Sequence, residues 1–225
     1  MSQTFNNLSV TFDLDGTLVD TAPDLIRVLN EVTRADGLAP VPVADARNLI
    51  GFGSMALIKT AYAGENRQLD ESHAKNLQTQ FLEIYADTIA QNSPPFPGVP
   101  EVLAELKRAG ARLSVCTNKP GAMARSLMQQ LGLAAFFDRI VGGDDVPNNK
   151  PAAQHIFTAV GHRGNRPIVM VGDGAPDAYA AKAAKAALVM MSYGYCPRSV
   201  HTFGADAVLR SFRELPPALK SILAV

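Results

Sequence analysis

Short apolar runs rich in β-branched residues alternate with helical patterns along most of this chain, and this alternation limits the fold more than any other feature. The predicted strands are Leu8–Phe12, Arg112–Cys116, Arg139–Val141, Ile168–Val171, Ala187–Met191 and Asp206–Leu209. Predicted helices over Val99–Ala109, Ala122–Leu131 and Pro151–Val160 each end before a glycine, which suits a helix C-terminus. Strands separated by helices pair in parallel and are covered on both faces. The sequence therefore predicts an α/β fold with a parallel sheet.

The stretch from about Thr21 to Asn92 has helical periodicity without strands between the helices. Its first apolar stripe has the i, i+3, i+4, i+7 spacing of one helix face and consists of Leu25, Val28, Leu29 and Val32. A second stripe follows Asp70, which suits the N-cap position. We therefore predict an α/β core formed by residues 1–20 and 93–225, with residues 21–92 as an inserted α-helical unit.

Charge and hydropathy exclude several classes of partner. The chain has 21 Lys and Arg against 21 Asp and Glu, so it has no basic field to gather nucleic acid or anionic lipid. No apolar run approaches the ~20 residues that span a bilayer. Asp13 and Asp15 fall where a signal peptide would still be hydrophobic. We expect neither a nucleic-acid nor a membrane partner, and no feature specifies an oligomeric state.

The cysteines indicate a reducing compartment. Only Cys116 and Cys196 are present, which is too few for a disulfide framework, and Cys116 lies in a predicted buried strand. We therefore expect a cytoplasmic protein.

Two acids follow the first predicted strand directly, in the segment Asp13-Leu14-Asp15-Gly16-Thr17. Because ligands bind at the carboxyl ends of parallel strands, both carboxylates are expected at that edge of the sheet. Two carboxylates this close need a cation between them or a retained proton. Gly16 permits a sharp turn that leaves backbone amides facing an anion. The local alternative is a turn that merely uses Asp and Gly.

Three further segments place polar side chains at the same predicted edge. Thr117 and Asn118 follow the second strand, and Lys150 precedes a helix, where its ammonium could reach a phosphoryl oxygen. Asp173 and Asp177 follow the fourth strand. Each segment alone also fits an ordinary turn, a solvated lysine or an N-capping carboxylate. Their occurrence together, in the order acid pair, threonine, lysine, acid pair, indicates one site.

This constellation resembles the haloacid dehalogenase superfamily. Its four motifs are similar, in order, to Asp13-x-Asp15-Gly16-Thr17, Thr117-Asn118, Lys150 and Gly172-Asp173-x-x-x-Asp177. The resemblance covers about residues 8 to 195 and implies a Rossmann-like core with a type 1 α-helical cap inserted between the first two motifs. Further segments resemble the phosphoglycolate phosphatases of that superfamily, namely Ile50-Gly51-Phe52-Gly53, Pro97-Gly98-Val99-Pro100-Glu101 and Tyr193-Gly194-Tyr195.

The resemblance implies a phosphatase that acts on a small phosphate ester, with 2-phosphoglycolate as the first candidate. Asp13 would attack phosphorus and become an aspartyl-phosphate, and Asp15 would exchange protons with the leaving group and water. Thr117 and Lys150 would stabilise the charge on the phosphoryl oxygens. The remaining substrate-binding positions would be Gly16, Thr17, Gly51, Phe52, Gly53 and Asn118.

The resemblance also implies Mg²⁺ as the cofactor. Its ligands would be Asp13, the backbone carbonyl of Asp15, and Asp173, since Mg²⁺ prefers oxygen. Asp177 would orient Lys150 or a metal-bound water. The chain departs from the family pattern at Gly174, Ala153 and Lys185, where serine, proline and glycine are usual. Gly174 places the support of Asp173 in question.

Four alternatives remain open from the sequence. A dehalogenase of the same superfamily lacks an acid at the position of Asp15. A sugar phosphomutase, or a sugar or nucleotide phosphatase, would use the same chemistry. A receiver-like module also unites acids, Thr and Lys, but is about half this size. A non-catalytic phosphate-binding protein would not need all of these groups.

Overall fold

The structure is a computed structural model and describes residues 4–47, 50–51, 53–161, 166–196 and 198–224. It divides the chain into two compact units. The first comprises Met1–Val19 and Pro95–Val225, and the second comprises Asp20–Pro94. Among the described residues, no helix is both long and apolar enough to cross a membrane.

The first unit is built on a six-stranded sheet in which all paired neighbours are parallel. The strands are β1 (Ser9–Phe12), β2 (Arg112–Cys116), β3 (Arg139–Val141), β4 (Ile168–Gly172), β5 (Ala187–Met191) and β6 (Ala207–Leu209). Their order across the sheet is β3-β2-β1-β4-β5-β6. The predicted parallel α/β fold is confirmed, and the strand ends differ from the prediction by one residue at most.

Helices connect the first five strands in turn, and one more helix follows β6. They are α5 (Val99–Arg108), α6 (Gly121–Gln130), α7 (Ala153–Val160), α8 (Ala175–Ala184) and α9 (Leu215–Leu223). The predicted start of α7 at Pro151 is wrong by two residues. Lys185, which follows α8, has a left-handed backbone with φ of 53°. This conformation explains why glycine suits that position.

The second unit is helical, as the periodicity predicts. Its helices are α1 (Ala22–Thr33), α2 (Val43–Ala46), α3 (Ser54–Gly64) and α4 (Glu71–Asp87). The predicted stripe of α1 is buried throughout, with Leu25, its most exposed member, only 9% exposed. Asp70 caps α4 by accepting a hydrogen bond from the backbone N–H of His73 at 2.9 Å.

A buried carboxylate joins the two ends of the second unit. Asp24, in the first turn of α1, is fully buried. Its Oδ2 accepts hydrogen bonds from the backbone N–H of Asn92 at 2.7 Å and from the hydroxyl of Ser93 at 2.7 Å. Arg27 pairs with Asp24 Oδ1 at 3.3 Å. Because a buried charge needs such partners, these contacts fix the start of the unit to its end.

Candidate active site

The sheet brings three segments of the predicted site together at one edge. The central strand β1 ends at Phe12, which lies opposite Val115 of β2 and Val171 of β4. Asp13 therefore emerges between the segments that follow β2 and β4, and its backbone N–H continues the ladder to Val171 at 2.9 Å. The strand order alone places Asp13, Thr117 and Asp173 side by side.

Lys150 occupies the centre of the charged groups. Its ammonium lies 2.8 Å from Asp13 Oδ1 and 2.7 Å from Asp177 Oδ1, and its side chain is 1% exposed. Burial opposes the charge of this lysine. The carboxylates of Asp13 and Asp177 outweigh that effect and hold the pKa of Lys150 above its ordinary value. Lys150 is therefore a fixed positive charge beside Asp13.

The side chains of Asp13 and Asp173 hold protons more tightly than free carboxylic acids do. Burial raises the pKa of Asp13 to about 6, against the opposing attraction of Lys150. Burial, and then repulsion from Asp177 and Asp13, raises the pKa of Asp173 to about 8. These carboxylates are therefore crowded, and a cation bound between them would relieve their repulsion.

Asp173 is held in one orientation by two donors. The hydroxyl of Thr17 donates to its Oδ1 at 2.8 Å, and the backbone N–H of Tyr195 donates to its Oδ2 at 2.7 Å. Two glycines permit this approach. A Cβ on Gly16 would lie 2.6 Å from Asp173 Oδ2, and one on Gly194 would lie 2.2 Å from Asp173 Cβ. Only a residue without a side chain fits at either position.

A group of three acids could hold a metal ion. One carboxylate oxygen each from Asp13, Asp173 and Asp177 lie within 4.8 Å of one another. Hard oxygen donors of this kind suit Mg²⁺. Asp177 already accepts hydrogen bonds from Lys150, from the backbone of Asp173 at 3.1 Å and from that of Gly174 at 2.9 Å. Asp177 is therefore tied both to Lys150 and to the backbone that carries Asp173.

Asp15 is not part of this acid group. Its Oδ1 lies 3.0 Å from the ammonium of Lys119, whose side chain is only 4% exposed. Sequence reasoning did not assign a role to Lys119, although it directly follows Thr117 and Asn118. A lysine at a strand end carries no sequence signal of burial, so only the fold reveals this pair.

The segment after β2 supplies the remaining polar groups. Thr117 is buried, and its Oγ1 accepts the backbone N–H of Lys119 at 3.2 Å. Asn118 donates from Nδ2 to the backbone carbonyl of Lys150 at 3.0 Å. Asn118 therefore links the second predicted motif to the third.

His155 is a second residue that sequence reasoning missed, since we expect histidines without metal-ligand spacing at the surface or on helix faces. It lies on α7 but is fully buried. Its Nδ1 accepts the backbone N–H of Lys150 at 3.1 Å, so Nε2 carries the proton and faces the carbonyl of Val141 at 3.2 Å. Burial lowers the pKa of His155 to about 4. A neutral imidazole therefore anchors the backbone that carries Lys150.

Three of the predicted substrate residues, Gly51, Phe52 and Gly53, belong to the helical unit. Gly51 and Gly53 are exposed residues of the second unit, with φ of 103° and 88°. Gly53 directly precedes α3. Phe52 lies outside the described residues. A role of these three residues in substrate binding stays a prediction.

Gly174 has an ordinary extended backbone, with φ of −121° and ψ of 169°. A Cβ there would lie 3.3 Å from Pro176 Cδ, which requires only a small adjustment. We expect Gly174→Ser to keep kcat/KM within about twofold of wild type, or to raise it, because the change is sterically mild. Steady-state phosphate release checks this expectation.

Gly172→Ser is the matched control for this substitution. A Cβ at position 172 would lie 2.3 Å from Asp177 Cγ, so Gly172→Ser should lose most of its activity. A loss above about tenfold in folded Gly174→Ser would show that the glycine is required.

The chain matches known proteins along most of its length. A sequence model of the haloacid dehalogenase-like hydrolases matches residues 10–191. The phosphoglycolate phosphatase of Caulobacter vibrioides is 41% identical over 220 residues, which cover 97% of this chain and 93% of that protein. The phosphoglycolate phosphatase of Agrobacterium fabrum is 39% identical over 210 residues, with 92% and 90% covered.

A solved structure has the same fold. The crystal structure of a predicted phosphoglycolate phosphatase from Haemophilus somnus superposes with a TM-score of 0.88 and is 29% identical. That match covers 97% of this chain and 99% of the other. The superfamily predicted from the four motifs is therefore confirmed. The chain belongs to the haloacid dehalogenase-like hydrolase family.

Proposed function

We propose that this protein is a phosphatase that hydrolyses 2-phosphoglycolate, or a phosphate ester of a similarly small acid, through an aspartyl-phosphate on Asp13. The observation that carries this proposal is the buried ammonium of Lys150, 2.8 Å from Asp13 Oδ1. A fixed cation beside a carboxylate at the end of the central strand suits the capture of a phosphoryl group. The names of the relatives support the choice of substrate.

The first step forms a bond between an Asp13 oxygen and phosphorus and breaks the ester bond. Asp13 can act as the nucleophile at neutral pH because its pKa of about 6 leaves it mostly ionised. Lys150 and the Thr117 hydroxyl would stabilise the negative charge on the phosphoryl oxygens.

Asp15 would carry the protons of both steps. As an acid it donates a proton to the leaving oxygen and releases the alcohol. As a carboxylate it then removes a proton from the water that attacks phosphorus and frees Asp13. The side chain of Asp15 contacts Lys119 at 3.0 Å and is not part of the acid group. It is therefore better suited to proton transfer than to metal binding.

Mg²⁺ is the proposed cofactor, held by Asp13 and Asp173 with the predicted backbone carbonyl of Asp15. When bound, it would screen the repulsion between the nucleophile and the phosphate. The oxygen-only donors and the raised pKa values of Asp13 and Asp173 support a divalent cation here.

We expect Mg²⁺ to stabilise the protein more at about pH 8 than at about pH 5. An acid whose pKa is raised by folding stabilises the native state less as pH rises, so without metal Asp173 lowers stability between about pH 4 and its pKa of about 8. The metal binds the ionised form and opposes this loss. Saturating Mg²⁺ should raise Tm by roughly 5–10 °C at the higher pH.

Thermal unfolding with and without Mg²⁺ at both pH values measures this difference. Asp173→Asn is the control, since it should abolish the Mg²⁺ effect. An equal or larger shift at the lower pH would contradict a site formed by these acids.

A panel of phosphate esters tests the substrate. We expect the highest kcat/KM for 2-phosphoglycolate among small acids, a hexose phosphate and a nucleoside monophosphate. The helical unit, residues 21–92, is the proposed cap, and its predicted substrate segment Gly51-Phe52-Gly53 has one aromatic residue and no polar side chain to recognise a base or sugar. A hexose phosphate or nucleotide clearly ahead of the small acids would overturn the substrate while leaving the chemistry intact.

A cytoplasmic location is also proposed. Neither cysteine forms a disulfide, and burial raises the pKa of the Cys116 thiol to about 12. Both observations suit a reducing compartment.

A further inference from the structure

A second buried lysine, Lys119, lies beside the proposed acid Asp15. A lysine ammonium is costly to bury, yet the Lys119 side chain is only 4% exposed and directs its charge at Asp15 Oδ1 and Oδ2, at 3.0 and 3.4 Å. Lys150 lies between Asp13 and Asp177. The site therefore holds two separate cations, one beside the proposed nucleophile and one beside the proposed acid.

The backbone fixes the position of Lys119. Its N–H donates to the Thr117 hydroxyl at 3.2 Å, and its carbonyl accepts the N–H of Gly143 at 3.0 Å. A Cβ on Gly142 would lie 2.7 Å from the Lys119 carbonyl oxygen, so the loop after β3 packs directly against this residue. The backbone of Lys119 is therefore fixed by the segment after β2 and by the loop after β3.

The contact between Lys119 and Asp15 limits how far Lys119 can lie from the leaving group. A general acid must lie about 2.6–3.2 Å from the oxygen that it protonates. Because Lys119 lies 3.0 Å from Asp15, its ammonium lies within roughly 6 Å of that ester oxygen. In a 2-phospho acid, the carboxylate carbon is only two bonds of about 1.5 Å each from the same oxygen. The carboxylate can therefore reach the ammonium.

We infer that Lys119 is a specificity-determining residue that recognises the carboxylate of the leaving group. The inference rests on the proposed function and explains how the α/β core itself can select a small anionic ester. Lys150 would bind the phosphoryl group, and Lys119 would attract the acid that leaves. A neutral leaving group of the same size lacks this attraction.

Two substrates separate this role from simple support of Asp15. The first is 2-phosphoglycolate, and the second is 2-hydroxyethyl phosphate, in which a hydroxymethyl group replaces the carboxylate. The variants are Lys119→Met and Lys119→Arg, with Lys119→Gln as a second neutral variant should Lys119→Met not fold. Lys75→Met is the control, because Lys75 lies on α4 with a side chain that is 68% exposed.

We expect Lys119→Met to lower the ratio of kcat/KM for 2-phosphoglycolate over 2-hydroxyethyl phosphate by about tenfold or more. Most of the change should be a higher KM for 2-phosphoglycolate, since recognition of the acid is lost on binding. Lys119→Arg keeps the charge and should restore part of the ratio. Lys75→Met should leave it unchanged.

An unchanged ratio in a folded neutral variant would overturn the inference, whether both substrates lose activity equally or neither does. Equal losses would assign Lys119 to the positioning of Asp15 alone. The wild-type enzyme tests the proposed function separately. If it prefers the neutral ester, the substrate proposal fails. If it prefers 2-phosphoglycolate and Lys119→Met keeps that preference, only the role of Lys119 fails.

Discussion

Asp13→Asn is expected to lower kcat by about 10⁴-fold or more, the order of loss that follows removal of a nucleophile. An amide oxygen is a poor nucleophile, and no neighbouring acid among the described residues can replace it. Asp15 contacts Lys119 at 3.0 Å, and Asp173 is held by Thr17 and Tyr195 at 2.8 and 2.7 Å. The fold should survive, since asparagine is similar in size and Lys150 keeps Asp177 as its charged partner at 2.7 Å.

Phosphate release under saturating Mg²⁺ measures this loss, and circular dichroism checks the fold. Mass spectrometry must verify that the introduced asparagine has not deamidated back to aspartate. Asp87→Asn, an exposed change at the end of α4, is the matched control and should keep full activity. A folded Asp13→Asn protein with normal turnover would exclude the covalent mechanism.

Lys150→Met is expected to impair both catalysis and stability. It removes the ammonium beside Asp13 and Asp177, so kcat should fall by about 10²–10³-fold or more. Loss of one partner from a buried ion pair also costs about 3–5 kcal/mol of unfolding free energy. This double effect separates Lys150 from a residue that only contacts substrate.

The stability loss should depend on pH. Lys150 lowers the pKa of Asp13, so its removal lets that acid keep its proton to higher pH. A carboxylic acid with a raised folded-state pKa destabilises the native state as pH rises. Lys150→Met should therefore be closer to wild type at about pH 5 than at about pH 8. Urea unfolding at both pH values tests this, with the exposed Lys182→Met as control. A loss that is equal at both values would contradict the proposed pairing.

The parallel sheet was predictable because its signals are local. Each strand is a short apolar run, and the helices between them end at glycine. The grouping of Asp13, Thr117 and Asp173 follows from the same pattern, since parallel strands end at one edge. Helices α1 and α4 of the second unit were also predictable, because the apolar stripe of α1 is continuous and Asp70 is a regular N-cap of α4.

The contacts that sequence reasoning missed depend on how distant segments approach. Nothing in the local sequence directs Lys119 at Asp15, the N–H of Tyr195 at Asp173, or His155 at the backbone of Lys150. Each contact depends on where the fold places the two groups. Helix α9 was missed for another reason. Pro216 and Pro217 resemble a turn, although proline is tolerated in the first turn of a helix, where they lie.

The proposed mechanism requires Asp13 to carry the phosphoryl group during turnover. The most direct measurement uses Asp15→Asn with p-nitrophenyl phosphate and Mg²⁺, since this leaving group needs little protonation while hydrolysis of the intermediate lacks its base. Acid quenching followed by borohydride reduction converts an aspartyl-phosphate to homoserine, which peptide mass spectrometry locates. We predict a burst of nitrophenolate equal to the enzyme concentration, with homoserine at position 13. Turnover without a burst and with unmodified Asp13, or homoserine at another position, would contradict the account.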